Sequence, residues 1–178
     1  ENWVENLNWD WAISRQRHYG VPFPVWYSKR KGEEGKLLTA SEDQLPCDPL
    51  SDLPHGYDRH EVESEYDVMD TWATSSVSPQ IVKGWKTEFS QENTPMSLRL
   101  QAHDIIRTWA FYTIVKSVYS QGKLPWNDIV ISGHVTMGKE KMSKSKGNVI
   151  DPIEVMSTYS TDALRFWTAA GKLGDDHP

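Results

Sequence analysis

Four lysine side chains lie close together in one segment of the chain, and they are the residues best suited to do chemistry. Lys139, Lys141, Lys144 and Lys146 alternate with small and polar residues, and only one acidic residue, Glu140, lies among them. Ammonium groups at this spacing can neutralise a polyphosphate if the backbone lets them converge on it. A solvated surface turn has the same composition, so the lysines alone leave both interpretations open.

The segments on either side of these lysines predict a strand, a loop and a helix in that order. The apolar run at 129–131 predicts a buried strand that ends near Gly133. Beyond the loop, Asp151, Pro152 and Glu154 are spaced as in a helix N-terminus, with a capping carboxylate followed by proline at the first helical position. A mobile loop of Lys, Ser and Gly between a strand and a helix is a suitable place to hold phosphates.

The order of the residues in the loop favours the phosphate-binding interpretation. Residues 141–148 read Lys-Met-Ser-Lys-Ser-Lys-Gly-Asn, which resembles the second signature of the class I aminoacyl-tRNA synthetases. In that family the loop closes over ATP, and its lysines stabilise the triphosphate during attack on the α-phosphate. The serine–lysine pair of penicillin-recognising enzymes is a weaker match, because its partner motifs are absent. Neither a Walker A loop nor a Gly-x-Gly-x-x-Gly fingerprint occurs in the sequence.

Composition narrows the class of protein. The 178 residues carry a net charge of −6, which argues against a general nucleic-acid binder and leaves room only for local RNA contacts. The single cysteine, Cys47, allows no internal disulfide and suits a cytoplasmic protein. Neither a run of 18 apolar residues nor a signal-peptide pattern is present, so we expect no membrane segment. Because the chain opens with Glu instead of Met, we expect a fragment of a longer protein.

The first part of the chain predicts extended structure. We expect a helix before residue 8, a strand near residues 11–13 and an extended stretch around the prolines at 22 and 24, because proline excludes helix. The string at 11–26, which contains Ser-Arg-Gln-Arg and ends in Pro-Val-Trp, resembles the point where isoleucyl, leucyl and valyl members of the family re-enter the catalytic domain after the editing insertion. An ordinary β-turn-β element with exposed arginines is the alternative.

The polar stretch at 28–65 predicts a small insertion of loops and strands. Residues 29–36 have the composition of a hairpin tip. By resemblance, some valyl enzymes carry a zinc ribbon here, but this stretch has only Cys47 where paired thiols would be needed. We therefore expect no zinc and interpret His55 and His60 as surface side chains.

Three large apolar side chains form the predicted pocket for an amino acid. Asp70-Thr-Trp-Ala-Thr-Ser-Ser resembles the valyl branch of the family, whereas isoleucyl enzymes carry Trp-Phe-Asp-Ser-Gly at this point. The segment 105–119 predicts a helix that is apolar on nearly every face, with Ile105 and Trp109 on the same face. By periodicity alone these residues are ordinary core. The resemblance implies that Trp72, Ile105 and Trp109 bind the valine side chain.

The resemblance also implies an ATP site and its catalytic groups. Lys141 and Lys144 are the expected catalytic residues, acting on the charge of the leaving pyrophosphate. Gln101 and Asp104 would meet the ribose, although a helix N-cap explains Asp104 equally well. The full set implied for ATP binding is Gln101, Asp104, Gly133, His134, Val135, Met142, Ser143 and Lys144. Mg²⁺ would enter with ATP, and we expect no metal site of the protein's own.

The predicted fold is α/β: the second half of a Rossmann-like parallel-sheet nucleotide-binding domain, with a small β-rich insertion and a C-terminal helical stem-contact segment. The expected boundaries are 1–27 for re-entry into the catalytic domain, 28–65 for the insertion, 66–150 for the catalytic half with the lysine loop, and 151–178 for the start of the stem-contact helices. These helices should break near residue 160, and the second should end at Gly171 as a C′ glycine.

The resemblance implies ATP-dependent activation of valine and its transfer to tRNA(Val) by a monomeric full-length enzyme. A slot of this kind rejects isoleucine by size but cannot firmly refuse threonine. The His-Ile-Gly-His signature of the family is absent, so we expect the segment alone to be inactive. The alternatives are a non-catalytic RNA- or partner-binding module, an isoleucine-specific synthetase, and a nucleotidyl transferase relative that uses another acceptor.

Overall fold

The computed structural model describes residues 5–7, 10–88 and 95–178 of the chain. The helix expected before residue 8 falls mainly outside these residues. Within the three described stretches, no helix is long and apolar enough to cross a bilayer.

The chain divides into two compact units of mixed α/β structure. One consists of residues 8–78, and the other consists of residues 1–7 together with 79–178. Each unit has its own strands and helices, and each contains part of the predicted site.

A three-stranded antiparallel sheet forms the larger part of the unit at 8–78. Its central strand β2 (Val25–Ser28) pairs with β3 (Leu37–Thr39) and β4 (Val62–Ser64). The turn between β2 and β3 confirms the predicted hairpin. Trp26 is fully buried, and its indole N–H donates to the Pro49 carbonyl at 3.2 Å. The small sheet therefore has a single aromatic core residue whose polar atom is satisfied.

A second pair of short strands precedes the predicted tryptophan of the pocket. The strand expected at 11–13 lies slightly later, where β1 (Ser14–Arg15) pairs antiparallel with β5 (Val68–Met69). Helix α1 (Thr71–Ser75) follows at once, and the buried carboxylate of Asp70 caps it by accepting from the Trp72 N–H at 2.6 Å. Asp70 is therefore a side-chain N-cap that fixes the start of the helix before Trp72.

Charged and aromatic side chains hold the hairpin side of the insertion together. Arg30 donates to both carboxylate oxygens of Glu61, at 2.9 and 2.8 Å, and its guanidinium lies 3.8 Å from the centroid of the Tyr57 ring. Tyr57 in turn donates to Glu33 at 2.9 Å. The bond to Arg30 lowers the pKa of Glu61 to about 2.

The unit at 79–178 is built around a parallel β-α-β arrangement. Helix α2 (Ser78–Val82) comes first along the chain, and β6 (Met96–Ala102) then pairs in parallel with β7 (Trp126–Ser132). Helix α3 (Phe111–Gln121) connects the two strands and ends at Gly122, which has a φ of 68°. This pairing fits the parallel α/β class predicted from the sequence.

The helix predicted over 105–119 is regular only in its second part. A 3₁₀ turn (His103–Ile105) and a π-helical turn (Ile106–Ala110) come before α3. The hydroxyls of Thr108 and Thr113 donate to the carbonyls of Ile105 and Trp109, at 3.3 and 2.5 Å. These side-chain bonds satisfy carbonyls within the irregular turns, which offers the backbone an alternative to an α-helical ladder.

The apolar faces of this unit are less buried than predicted. Ile129 on β7 is 39% exposed, and Leu100 on β6 is 64% exposed. Tyr119 on α3 is 88% exposed, so that helix is not enclosed on every side. The sequence pattern shows which faces are apolar, but it does not show which of these faces other residues bury.

The lysine loop and two helices complete the unit. Strands β8 (Thr136–Met137) and β9 (Glu140–Lys141) form a hairpin, and a 3₁₀ turn (Lys144–Lys146) follows. Helix α4 (Pro152–Tyr159) is capped by Asp151, which accepts from the Ile153 N–H at 2.8 Å.

Helix α5 (Thr161–Ala170) follows after a break at Ser160, so the predicted interruption is confirmed. The predicted end of α5 at Gly171 is confirmed, but Gly171 is the C-cap with a φ of −65° and not the predicted C′ glycine. The chain instead leaves the helix in an extended direction, with the Gly171 N–H bonded to the Thr168 carbonyl at 3.3 Å.

Candidate nucleotide-binding site

The two parallel strands bring several predicted residues to one edge of the sheet. In the register of β6 and β7, Gln101 lies opposite Ile131 and Ala102 lies opposite Ser132, so Asp104 and Gly133 follow just beyond the carboxyl ends. This edge is where open α/β sheets bind ligands. The strand order therefore explains how residues 30 apart in sequence become neighbours.

Asp104 and Lys141 form the central contact of the site. Lys141 Nζ donates to Asp104 Oδ2 at 2.7 Å. The hydrogen bond from Lys141 lowers the pKa of the Asp104 carboxyl below its ordinary value, against an opposing effect of burial, and the nearby His134 lowers it further. Asp104 is therefore paired with the loop, and it is not the side-chain cap of the turn in which it lies.

His134 extends this cluster. Its Nε2 lies 3.7 Å from Asp104 Oδ2, and its ring meets the His103 ring edge-on with centroids 4.7 Å apart. The side chain is only 18% exposed. The structure thus brings Asp104, His134 and Lys141 together, and their binding of ATP stays a prediction.

The lysine loop is ordered by its own polar side chains. Asn148 Oδ1 accepts from the Ser143 N–H at 2.8 Å, and Asn148 Nδ2 donates to the Lys141 carbonyl at 3.3 Å. The hydroxyls of Ser143 and Ser145 share a further bond of 2.8 Å. Lys144, in the turn that these bonds surround, is exposed to solvent.

Met142 lies between the loop and the helices that follow it. Together with Val135, Tyr159, Leu164 and Trp167 it lines an apolar cavity of about 550 Å³. The methionine of the signature therefore contributes to packing beneath the loop, while the lysines beside it reach solvent.

Gln101 has a free acceptor at the strand edge. The residue is 7% exposed, and its amide nitrogen donates to the Ala102 carbonyl at 3.3 Å. Its Oε1 is buried and accepts no hydrogen bond from the described residues. A buried amide oxygen without a partner is costly, and a donor such as a ribose hydroxyl would satisfy it.

Trp109 has a neighbour that the sequence did not indicate. The guanidinium of Arg99 stacks over the Trp109 ring and lies 5.8 Å from the centroid of the Trp126 ring. Burial lowers the pKa of Arg99 to about 10. Trp109 and Ile105 lie in the irregular turns after β6, and both are half-buried.

Trp72 belongs to the other unit and lines a cavity there. This cavity of about 590 Å³ also has Arg17, Gly20, Met69 and Asp70 in its wall. A Cβ on Gly20 would lie 2.7 Å from the side chain of Val68, so only glycine fits without a shift. Trp72 is half-buried and presents part of its surface to this space.

The chain after α5 contacts the site, which sequence reasoning missed. Asp176 Oδ1 accepts from the His134 N–H at 2.8 Å, and His177 pairs with the backbone on either side of Val135. The residues are 42 apart in sequence. The turn at Gly174, with a φ of 85°, is a local signal, but nothing in the sequence predicts where the turn directs the chain.

Among the described residues no group of three or more His, Cys, Asp or Glu side chains has the arrangement of a metal site. Cys47 is a free thiol, half-buried, and burial raises its pKa. The expectation that the insertion binds no zinc stays a prediction.

A parallel β-α-β unit followed by a lysine loop at its carboxyl edge is the architecture of an α/β protein that uses nucleotides. The chain matches the family described as tRNA synthetases class I (I, L, M and V) over residues 1–177, and it belongs to that family.

Two curated relatives show where in the family the chain lies. It is 57% identical over 184 residues to a valine–tRNA ligase of Rickettsia rickettsii (strain Sheila Smith), covering 99% of this chain and 23% of the relative. It is 55% identical to a valine–tRNA ligase of Wolbachia sp. subsp. Brugia malayi, covering 99% of this chain and 22% of the relative. The chain thus spans less than a quarter of the length of these relatives, and the family predicted from the loop is confirmed.

A solved structure shares the fold. The crystal structure of a LeuRS–tRNA–LeuAMS ternary complex from Agrobacterium radiobacter K84 superposes with a TM-score of 0.71 at 22% identity. The match covers 94% of this chain and 25% of the other. At this identity the likeness concerns the fold alone.

Proposed function

We propose that the protein to which this chain belongs is a valine–tRNA ligase. The observation that carries the proposal is the pairing of Lys141 with Asp104 beyond the carboxyl ends of β6 and β7. This contact puts a loop lysine at the edge where an α/β sheet binds a nucleotide. The identity of 55–57% to valine–tRNA ligases supports valine as the amino acid.

The chain supplies, in this proposal, the second half of a Rossmann-like catalytic domain. Residues 1–27 re-enter that domain, 28–65 form the insertion, 66–150 carry the lysine loop, and 151–178 begin the stem-contact helices. The parallel pairing of β6 with β7 and the two helices after the loop support this division.

ATP would lie along the edge of the sheet. Gln101 and Asp104 meet the ribose in this proposal, and the unpaired Oε1 of Gln101 supports such a contact. The backbone of Gly133, His134 and Val135 faces the adenine. Mg²⁺ enters with ATP and adds positive charge at the phosphates.

The lysine loop acts on the phosphates. The valine carboxylate attacks the α-phosphorus, the bond between that phosphorus and the bridging oxygen to the β-phosphate breaks, and pyrophosphate leaves. Lys141 and Lys144 stabilise the charge that grows on pyrophosphate. Met142 and Ser143, which lie between these two lysines in the sequence, keep the loop in place. A ribose hydroxyl of tRNA(Val) then attacks the valyl carbonyl, and AMP leaves.

Three apolar side chains select valine in this proposal. Trp72, Ile105 and Trp109 bound an isopropyl group, and each is only half-buried in the described structure. A wall of this kind excludes isoleucine by size, but it discriminates weakly against a hydroxyl of the same volume. Threonine is therefore the expected misactivated substrate.

The expected activity belongs to the full-length protein. The segment lacks the His-Ile-Gly-His signature, so we expect no valine activation from it alone. The monomeric state and the cytoplasmic location expected from the sequence stay predictions.

Amino-acid-dependent exchange of pyrophosphate into ATP tests the proposal. The full-length protein is assayed with valine, isoleucine and threonine. The expected order of kcat/KM is valine, then threonine about a hundredfold lower, with isoleucine also far below valine. A preference for isoleucine would show that the protein is an isoleucine-specific synthetase. Absence of exchange with all three amino acids would favour a non-catalytic module.

A further inference from the structure

The segment after helix α5 lies along the backbone that precedes the lysine loop. Its residue His177 donates its N–H to the His134 carbonyl at 2.7 Å and accepts from the Thr136 N–H at 2.9 Å. Asp176 accepts from the His134 N–H at 2.8 Å. Consecutive backbone groups at 134–136 are thus held by two residues that lie outside all of the signature strings.

The approach of the two segments is very close. An added Cβ on Gly133 would lie 2.0 Å from the backbone oxygen of Asp175, so the backbone of Asp175 passes directly over Gly133. Any side chain at 133 would force the segments apart, which gives this glycine a packing role.

The segment also contacts helix α5. The His177 ring lies against Trp167 of α5, tilted by 37° with centroids 4.5 Å apart, and Lys172 Nζ donates to Asp175 Oδ2 at 2.6 Å across the turn. Trp167 lines the same apolar cavity as Met142 of the lysine loop. The segment therefore connects helix α5 to the start of the loop.

The held backbone determines where His134 points. Its imidazole lies between His103 and Asp104, and Asp104 binds Lys141. Fixing the amide and carbonyl of His134 fixes the direction of its side chain, because the side chain leaves the backbone between these two groups.

We propose that Asp176 and His177 are positioning residues for nucleotide binding, acting through the backbone of Gly133–Thr136. The assignment rests on the proposed function, in which this backbone faces adenine. Asp176 supplies a charged acceptor that aligns the His134 amide, and the backbone of His177 acts as a short parallel strand that keeps 134–136 extended. Neither residue touches the substrate.

The test uses the full-length protein and pyrophosphate exchange with separate titrations of ATP and valine. Asp176→Ala removes the acceptor and should raise KM for ATP by about tenfold while KM for valine stays within about twofold. Asp176→Asn keeps a neutral acceptor and should recover part of the loss. His177→Pro removes the N–H that binds His134 and should act like Asp176→Ala, whereas His177→Ala keeps that N–H.

Asp162→Asn is the matched control, because the Asp162 side chain, at the start of α5, is 95% exposed and its described partner is Arg165 at 3.9 Å. Melting temperatures identify variants that fail to fold. If Asp176→Ala does not fold, Asp176→Asn replaces it in the test, and its KM for ATP should rise while its KM for valine stays unchanged. Equal KM values for ATP in wild type and in folded Asp176 variants would overturn the assignment, and so would equal changes in both KM values. Absence of exchange in the wild type would overturn the proposed function and the assignment with it.

Discussion

Replacing Lys141 by alanine separates two roles of this side chain, the binding of ATP and the stabilisation of the transition state. The ammonium group of Lys141 is bound to Asp104 at 2.7 Å, and the two side chains are 58% and 39% exposed. Ion pairs this exposed contribute about 0.2–1 kcal/mol. Releasing Lys141 to a phosphate therefore costs at most about fivefold in ATP affinity.

The expected effect on the chemical step is much larger. A preorganised donor that meets charge developing in the transition state is worth about 3–4 kcal/mol, or a factor of 10²–10³ in kcat. Lys141→Ala should accordingly lower kcat for pyrophosphate exchange on the order of 10²-fold or more, while KM for ATP changes by less than about fivefold. The effect on kcat exceeds the effect on KM because Lys141 is already paired with Asp104 before ATP binds, so its new bond to a phosphate adds little to ATP affinity.

The assay compares Lys141→Ala with Lys146→Ala in the full-length protein. Lys146 is a loop lysine of similar exposure, at 62%, whose described partner is Glu140 at 3.5 Å. Its loss should reduce kcat by no more than a few-fold, because it is not aimed at the strand edge. If the two variants lose kcat to the same extent, the reasoning from the Asp104 contact is refuted.

Four further predictions follow from individual contacts. Trp26→Ala should destabilise the 8–78 unit by about 3–5 kcal/mol, measured by denaturant unfolding against Trp26→Phe, because the indole is fully buried. The pKa of Asp104 is lower in the folded protein than in the unfolded chain, so its pairing with Lys141 stabilises the fold above the unfolded-state pKa and is lost as the pH falls through the folded-state pKa. NMR titration should show that the pKa of Asp104 rises in Lys141→Ala. An unchanged pKa would contradict the pairing. Ile105→Ala should raise kcat/KM for isoleucine relative to valine by about tenfold in the exchange assay, and an unchanged ratio would remove Ile105 from the pocket. Treatment with EDTA should leave the melting temperature of the protein unchanged, whereas a fall reversed by zinc would show that the stretch at 28–65 binds metal after all.

Local patterns were enough to predict the elements around the loop. Asp151 and Pro152 identify the start of α4 because capping depends on residues within one turn. The loop itself was recognised from consecutive residues, and the family match confirms that interpretation. The hairpin before β3 is similarly encoded by a short run of Gly and charged residues.

Contacts between distant residues were beyond the reach of the sequence. The stacking of Arg99 on Trp109 joins a strand to a turn, and periodicity assigns Arg99 only to a face of β6. The π-helical turn at 106–110 contains the Trp109 carbonyl that accepts from the Thr113 hydroxyl, and no hydrophobic pattern records such a bond. The contact of Asp176 with His134 depends on the direction of the chain after α5, which is determined by packing.

The bonded group formed by Arg30, Glu61, Tyr57 and Glu33 has a consequence for the conditions that this part of the protein tolerates. A zinc ribbon is held together by thiolates and zinc, so oxidants and chelators open it. Neither kind of reagent acts on a guanidinium or a carboxylate. Because the pKa of Glu61 is about 2, its bond to Arg30 stabilises the fold fully above the ordinary value of 4.5 and is lost only as pH falls toward 2. Concentrated salt weakens this bonded group only in part, since the side chains of Arg30 and Glu61 are 38% and 24% exposed and mobile ions screen partly buried charges less than exposed ones.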